Sequence, residues 1–221
     1  MSERRRSGSS EPKRGGHTTS RAATESRELR IIGGRWRGRH WRFPVGAPIR
    51  PTPDRVRETL FNWLMHSIVG ADCIDAFAGS GALGLEALSR GAARVRFVDA
   101  NRLATQGIRQ CLRDWQAVGA SVLEQDALGW LETSAVQAAD IVFLDPPFAT
   151  DLLPRALAAL HRRSWLRPRG QVYLESEAES SPPALPAGWI THRSGRAGAV
   201  SYHLLHCGAT PALYGSGSDV Q

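Results

Sequence analysis

The segment Asp145-Pro146-Pro147-Phe148 has the residue types of a site for a base amine. It follows the apolar run 141–144, which predicts a buried strand. Two consecutive prolines stiffen the backbone and remove two N–H donors, so the acceptors that remain are the Asp145 carboxylate and the Pro146 carbonyl. Two acceptors can orient an exocyclic amine so that its lone pair faces an electrophile, while Phe148 stacks on the base. The alternative is a Pro-Pro turn that only ends a strand.

A glycine-rich loop from Asp75 to Gly84 is the second candidate site, and it follows the first predicted strand of the core. Gly79, Gly81 and Gly84 have the G-x-G-x-x-G spacing that lets backbone approach a ligand at a helix N-terminus. That spacing alone fits a dinucleotide enzyme nearly as well as a methyltransferase. Asp75 separates the two, because its carboxylate would repel a pyrophosphate but attract the ammonium of a methionine moiety. We assign Asp75, Phe77, Gly79 and Gly81 to cofactor binding.

Two further acidic residues follow the second and third predicted strands. Asp99 can accept both hydroxyls of a cofactor ribose, since a carboxylate only accepts hydrogen bonds; the alternative is an N-cap for the next helix. Asp126 can accept from an adenine amino group while Ala127 donates from its backbone, and here too helix capping is the alternative. Ligands bind beyond the carboxyl ends of parallel strands, so these residues should share one site.

The elements that must position these residues alternate between strands and helices after residue 70. Core strands are predicted at 71–77, 94–98, 121–123, 140–144 and 171–174, with helices ending at 89 and covering 102–118, 128–136 and 152–161. A closing hairpin is predicted at 189–193 and 200–207. This alternation predicts an α/β fold with a mainly parallel sheet that is covered by helices on both faces.

The N-terminal part of the chain is basic, whereas the rest is mildly acidic. Up to Arg57 there are 15 Arg or Lys and 5 Asp or Glu, against 13 and 16 in the remainder. Such asymmetry suggests a polyanionic partner; for residues 1–28 the alternative is a solvated tail without a specific partner. Residues 29–43 predict a β-hairpin on which Arg and Trp alternate. A helix follows, with Thr52 or Asp54 as its N-cap.

Other classes of protein are excluded by composition. No apolar stretch approaches the roughly 18 residues of a membrane span, and no apolar region follows the N-terminal arginines as in a secretory signal. Cys73, Cys111 and Cys207 are scattered without C-x-x-C spacing, which argues against a disulfide framework and a zinc site. We expect a cytoplasmic monomer, with disordered segments at 1–28 and 209–221.

The loop 75–81 together with Asp145–Phe148 resembles the class I S-adenosylmethionine-dependent methyltransferases that act on exocyclic amines. Residues 30–39 and 50–64 narrow this resemblance to the RsmD-type 16S ribosomal RNA guanine-N2 methyltransferases, and it extends from about Arg30 to Cys207. One residue departs from the pattern: Asp99 stands where glutamate is expected more often. A shorter carboxylate can still reach a ribose.

The resemblance implies a seven-stranded Rossmann-like class I methyltransferase domain over 29–208, with an RNA-facing hairpin at 29–52 and the catalytic core at 53–208. It implies S-adenosylmethionine as methyl donor, S-adenosylhomocysteine as product and no metal, because the sulfonium is already the electrophile. The implied partner is 16S rRNA or the assembling small ribosomal subunit. The residues expected to contact RNA are Arg35, Trp36, Arg37, Arg39, Arg50 and Arg55.

Three alternatives stay open from the sequence. The nearest is an adenine-N6 methyltransferase acting on DNA or RNA, which shares the fold and the acceptor chemistry but usually needs an added target-recognition region. A dinucleotide-dependent oxidoreductase would explain the glycine loop but neither Asp75 nor the Asp145–Phe148 segment. A non-catalytic RNA-binding module would explain only the basic hairpin.

Overall fold

The computed structural model describes residues 26–44, 52–148, 150–179 and 183–208. Strands β1 (Ser26–Arg30) and β2 (His40–Pro44) form an antiparallel hairpin, with a 3-10 turn at Gly34–Trp36 between them. In the described ranges the core then runs α1 (Asp54–Trp63), β3 (Asp72–Ala76), α2 (Ala82–Ser89), β4 (Arg94–Asp99), α3 (Arg102–Asp114), β5 (Ala120–Glu124), α4 (Ala127–Thr133), β6 (Ala139–Leu144), α5 (Leu152–Arg162), β7 (Leu166–Glu177), β8 (Trp189–Ala197) and β9 (Val200–Cys207).

The seven core strands form one sheet in the order β5-β4-β3-β6-β7-β9-β8. Strands β3 to β7 are parallel, and β9 pairs antiparallel with both β7 and β8. One face packs against α1, α2 and α3, and the other packs against α4 and α5. The predicted seven-stranded Rossmann-like fold is confirmed. Its five parallel strands end at one edge, where ligands bind in such sheets.

The hairpin packs on helix α2, which is apolar along its length except for Glu86 and its last residue. Glu86 is fully buried and accepts hydrogen bonds from the backbone N–H groups of Ile32, at 2.9 Å, and Gly33, at 2.8 Å. Arg57 of α1 is equally buried and lies 3.5 Å from the Glu86 carboxylate. Arg90 donates to the same carboxylate at 2.8 Å. Buried charges require such partners, so these bonds make the hairpin part of one folded unit with the core.

Helix α3 ends before its predicted limit at residue 118. Gln116 adopts a left-handed φ of 50°, which stops the helix. Trp115 therefore lies at the helix end, where it packs against Trp36 at 5.1 Å and Trp41 at 6.0 Å between ring centroids. Helical periodicity alone could not show that these rings, which lie far apart in the chain, interrupt the pattern.

Other predicted boundaries also differ from the structure. Strand β1 begins at Ser26, so the predicted leader 1–28 overlaps an ordered strand; the rest of the leader and the tail 209–221 lie outside the described residues. The predicted N-cap of α1 is wrong. Pro53 occupies that position without a side-chain cap, and the Thr52 hydroxyl bonds elsewhere. None of the helices in the described ranges is long and apolar enough to cross a membrane.

Candidate active site

Three carboxyl groups lie at the carboxyl ends of the adjacent strands β3, β6 and β7. Leu144 pairs with Leu174 in the parallel ladder, so the residues that follow them, Asp145 and Glu175, are neighbours. Asp75 lies on β3 two register positions further back, and side chains alternate along a strand, so it shares their face. The predicted cofactor residue and the predicted amine acceptor therefore belong to one site.

Burial dominates the electrostatics of this group. Asp75 is 3% exposed, and burial raises its pKa to about 8, against the hydrogen bond that it accepts from the Gly84 N–H at 2.8 Å; the negative charge of Asp99 raises it further. Burial also raises the pKa of Asp145 well above its ordinary value, and the charges of Glu175 and Asp75 add to this effect. Burial therefore favours the neutral form of both carboxyl groups, and a nearby cation would favour the charged form.

Glu175 is a site residue that the sequence analysis missed. It is 3% exposed, and burial raises its pKa although it accepts two hydrogen bonds that favour the charged form. The donors are the Thr52 hydroxyl and the Tyr173 hydroxyl, each at 2.9 Å from Oε1. The signal was present, because Glu175 directly follows the apolar run 172–174, just as Asp145 follows the apolar run 141–144.

The glycine loop runs from Asp75 on β3 into helix α2. Gly81 has a φ of 76°, in the left-handed region that favours glycine. A Cβ at Gly84 would lie 2.9 Å from the Asp75 carboxylate and would collide with the Phe97 ring, so α2 can approach the sheet only with glycine there. Phe77 also has a left-handed φ, 65°, which is strained for a residue with a side chain. Strain of this kind is typical of ligand-binding loops.

The two remaining predicted cofactor carboxylates are Asp99, the last residue of β4, and Asp126, two residues after the end of β5. Asp99 accepts hydrogen bonds from the Gly79 N–H and the Asn101 N–H, both at 2.7 Å. It does not cap α3, because Asn101 does. Asp126 does cap α4, with the Gly129 N–H at 2.6 Å. Ala127 begins that helix, so its N–H has no acceptor within the helix.

The loop after β6 has the exposure expected of a platform for a base. Pro146 is buried, whereas Pro147 and Phe148 are exposed, Phe148 to 37%. The Thr150 hydroxyl donates to the Pro147 carbonyl at 2.8 Å and braces the loop. The Phe148 ring is thus held at the surface, three residues after the half-buried Asp145.

The hairpin presents its arginines to solvent but buries its tryptophans. Arg35, Arg37 and Arg39, called the hairpin arginines below, are exposed, as is Arg55 on α1. Trp36, which was predicted to contact RNA, is only 6% exposed; its ring packs against Trp115 and lies under the Arg35 guanidinium at 4.2 Å. The predicted Arg50 lies outside the described residues.

One hydrogen bond joins the hairpin directly to the glycine loop. The Trp41 Nε1–H donates to the Ser80 carbonyl at 3.1 Å, and both residues are buried. The hairpin that carries these arginines is therefore in direct contact with the glycine loop. Among the described residues, no group of three or more His, Cys, Asp or Glu side chains is placed to hold a metal ion.

Comparison with known proteins finds relatives that match this chain over nearly all of the described core. Residues 29–206 match the protein family described as Conserved hypothetical protein 95. The chain is 46% identical over 179 residues to Ribosomal RNA small subunit methyltransferase D of Escherichia coli strain K12, which covers 81% of this chain and 90% of that one. It is 41% identical over 180 residues to the Haemophilus influenzae protein of that name, with coverage of 80% and 93%. The solved structure of Escherichia coli yhhF superposes with a TM-score of 0.75 at 43% identity, covering 83% of this chain and 99% of that one.

Proposed function

The chain belongs to the RsmD-type family of ribosomal RNA methyltransferases, and we propose that it methylates the exocyclic N2 of a guanine in 16S rRNA with S-adenosylmethionine as donor. The observation that carries the proposal is the strand register that brings Asp145, with the exposed Phe148 three residues later, beside the buried Asp75 at the start of the glycine loop. In this proposal the register between β3 and β6 brings the amine acceptor, Asp145, next to Asp75, which would bind the cationic cofactor.

The residues of the site fit S-adenosylmethionine better than a dinucleotide. We assign Asp75 to an ammonium, and carboxyl groups on three adjacent strands disfavour a pyrophosphate. Asp99 uses one acceptor position of each oxygen for backbone N–H groups, which leaves further lone pairs for two ribose hydroxyls. Asp126 and the Ala127 N–H are assigned to the adenine. When bound, the cofactor supplies a methyl group on a sulfonium, which is an electrophile without any metal.

The acceptor residues, Asp145 and Pro146, would compensate for the weak nucleophilicity of a base amine. The lone pair of a base amine is delocalised into the ring, so the amine is a poor nucleophile until its hydrogens are held out of that plane of conjugation. Asp145 and the Pro146 carbonyl accept those hydrogens, and Phe148 stacks on the base. These residues would hold the amine for the methyl group that S-adenosylmethionine supplies when bound; the sulfonium would become a neutral thioether, and the amine would give up one proton to a base.

RNA is assigned to the hairpin arginines, Arg55 and Arg50. Exposed arginines bind phosphates without reading sequence, so the hairpin sets position while the acceptor loop selects the base. The hydrogen bond between Trp41 and Ser80 fixes the hairpin relative to the cofactor loop. An rRNA substrate places the reaction in the cytoplasm, and we treat the enzyme as a monomer.

The test is transfer of labelled methyl from S-adenosylmethionine to small ribosomal subunits from cells that lack this protein, followed by nucleoside analysis. We expect N2-methylguanosine at one site. Asp145→Ala should abolish transfer while affinity for S-adenosylhomocysteine stays nearly unchanged, and Asp151→Ala, an exposed carboxylate on the same loop region, should behave as wild type. Label in N6-methyladenosine, or no label in subunits and protein-free 16S RNA, would overturn the proposal.

A further inference from the structure

Glu175 is a buried carboxyl group to which the proposed methyl transfer assigns no role. It is 3% exposed and lies beside Asp145 at the carboxyl end of the sheet, because Leu144 and Leu174 before them are paired. Side chains at paired positions point to the same face of a sheet, so Glu175 also shares the face of Asp75. A buried carboxyl group costs stability unless its oxygens are bonded, so each oxygen of Glu175 needs a partner.

The two oxygens of Glu175 have different surroundings. Oε1 accepts hydrogen bonds from the Thr52 hydroxyl and the Tyr173 hydroxyl, each at 2.9 Å. Oε2 accepts no hydrogen bond from any residue that the structure describes. It is not fully enclosed either, because the fully buried side-chain atoms that lack a partner in the described ranges belong to Arg57 and Arg163. Oε2 therefore keeps an opening through which a donor from outside the protein can reach it.

The side of Glu175 that remains open is the side of Asp145. On the opposite side, Glu175 pairs with the buried Tyr202 of β9. Thr52 and Tyr173, which are both buried, close the space around Oε1. The strand that leads to Asp145 lies about 4.8 Å away, as neighbouring strands do, and Asp145 is only half-buried. A ligand that reaches Oε2 therefore also lies within reach of Asp145.

The two bases that carry an exocyclic amine on a purine ring differ at the atom beside that amine. Guanine has an N1–H donor next to its N2 amine, whereas adenine has a lone pair on N1 next to its N6 amine. Enzymes that act on an unstacked base read it by hydrogen bonds to this edge. An ionised carboxylate only accepts hydrogen bonds. A carboxylate oxygen beside the amine acceptor would therefore bond to the N1–H of guanine and repel the N1 lone pair of adenine.

We propose that Glu175 selects guanine by accepting the N1–H of the target base on Oε2, while Asp145 holds the reacting amine; this rests on the proposed function. The contact is a hydrogen bond, so it transfers no proton and breaks no covalent bond. Burial raises the pKa of Glu175, whereas the two hydroxyl donors at Oε1 favour its ionised form. The N1–H of guanine is a third donor and favours the ionised form further. A bound guanine therefore stabilises the charge state that recognises it.

Glu175→Gln should reverse the hydrogen-bonding character at Oε2. In the described part of the chain, Oε1 of Glu175 is the only acceptor for the proton of the buried Tyr173 hydroxyl. The amide oxygen of glutamine should therefore occupy the position of Oε1, where Thr52 also donates. The amide NH2 then occupies the position of Oε2. A donor at this position opposes the N1–H of guanine and suits a base with a lone pair on N1.

The test compares guanine with 2-aminopurine, which keeps the N2 amine but has a lone pair on N1. Each base is placed at the methylated position of 16S RNA that is reconstituted into small subunits, and kcat/KM for methyl transfer gives the preference. We expect the wild type to prefer guanine by about 10- to 100-fold, the range for a hydrogen bond to a charged group. Glu175→Gln should reduce this preference at least about 10-fold, with affinity for S-adenosylhomocysteine within twofold. Because 2-aminopurine also lacks O6, the change between wild type and variant is the quantity that reports on N1.

Glu132→Gln is the matched control, because it makes the same chemical change on α4, on the other face of the sheet. The partly exposed ion pair of Glu132 with Arg155 contributes little, so this variant should keep the wild-type preference. A wild type that methylates both bases equally well would overturn the role of Glu175, and this result needs no variant. A folded Glu175→Gln enzyme with the wild-type preference would overturn it too, while N2-methylguanosine in the guanine subunits would still support the proposed function. Failure of the wild type to form N2-methylguanosine would overturn both.

Discussion

Asp75 makes cofactor binding depend on pH in a way that can be calculated. Its pKa of about 8 means that the free protein holds Asp75 mostly neutral at pH 7, with burial as the main cause. An ammonium binds the ionised form, so binding must release the proton. Asp75→Asn is a conservative perturbation, because the amide oxygen can still accept the Gly84 N–H that holds the loop.

The expected change in cofactor affinity with pH follows from the pKa of Asp75. Each pH unit below 8 adds about 1.4 kcal/mol to the cost of ionising Asp75, which is tenfold in affinity. The Kd for S-adenosylhomocysteine should therefore fall about tenfold between pH 6 and pH 7. The ligand's own α-amino group stays charged below about pH 7.5, so the window from pH 5.5 to 7.2 isolates the protein's contribution. In Asp75→Asn the Kd should be weaker at pH 7 and independent of pH in this window.

Isothermal titration calorimetry measures both the Kd and the number of protons released on binding. The released protons follow from the heat in buffers of different ionisation enthalpy, and we expect close to one per ligand at pH 6.5. Asp114→Asn, which removes an exposed carboxylate at the end of α3, should retain the wild-type slope. Urea unfolding checks the same shift without ligand. A raised pKa contributes stability that is complete below the ordinary value of 3.8 and is lost as pH rises toward 8, so the Asn variant should lose less stability over that range. A pH-independent Kd for the wild type, or an unchanged slope in Asp75→Asn, would refute the reasoning.

Three further predictions concern the hairpin. Trp41→Phe keeps an aromatic ring but loses the bond to Ser80, so affinity for S-adenosylhomocysteine should weaken about fivefold, near 1 kcal/mol; an unchanged Kd in titration calorimetry would show that the bond does not support the loop. Glu86→Gln leaves Arg57 buried without its full counter-charge and should lower the free energy of unfolding by about 3–5 kcal/mol, and an effect under 1 kcal/mol in urea would contradict this. Replacing all three hairpin arginines with alanine should reduce the salt slope of RNA binding by about 2, at roughly 0.7 per phosphate contact, and an unchanged slope would move the RNA surface elsewhere.

The sequence predicted those parts of the site that depend on one local rule. Asp75, Asp99, Asp126 and Asp145 all lie at carboxyl ends of parallel strands, and apolar runs followed by acidic residues made those ends visible. The seven-stranded sheet was predictable for the same reason, since buried strands and amphipathic helices alternate with few interruptions. Most of the differences lie at element ends, such as the early stop of α3.

What the sequence could not show depends on contacts between distant residues. Thr52 was interpreted as a helix cap because it precedes a helix, but its partner Glu175 is 123 residues away. Trp36 and the arginines beside it alternate in the sequence, which suggested one shared surface. The 3-10 turn and the Trp115 ring instead place the tryptophan inside and the arginines outside. Periodicity reports which residues share a face of an element, not what that face meets.

The separation of basic and acidic residues along the chain allows the protein to bind RNA without bringing the phosphates against its acidic site. A methyltransferase for RNA must bind a polyanion and also keep carboxylates at its catalytic edge, and direct contact between the two would oppose binding. The exposed hairpin arginines are assigned to the phosphates, whereas Asp75 and Glu175 are buried and Asp145 is half-buried, and burial raises the pKa of all three carboxyl groups. Only a neutral base has to approach them. The bonds of Glu86 and Trp41 keep the two regions at a fixed separation, so loss of either bond should impair catalysis even where both binding surfaces are intact.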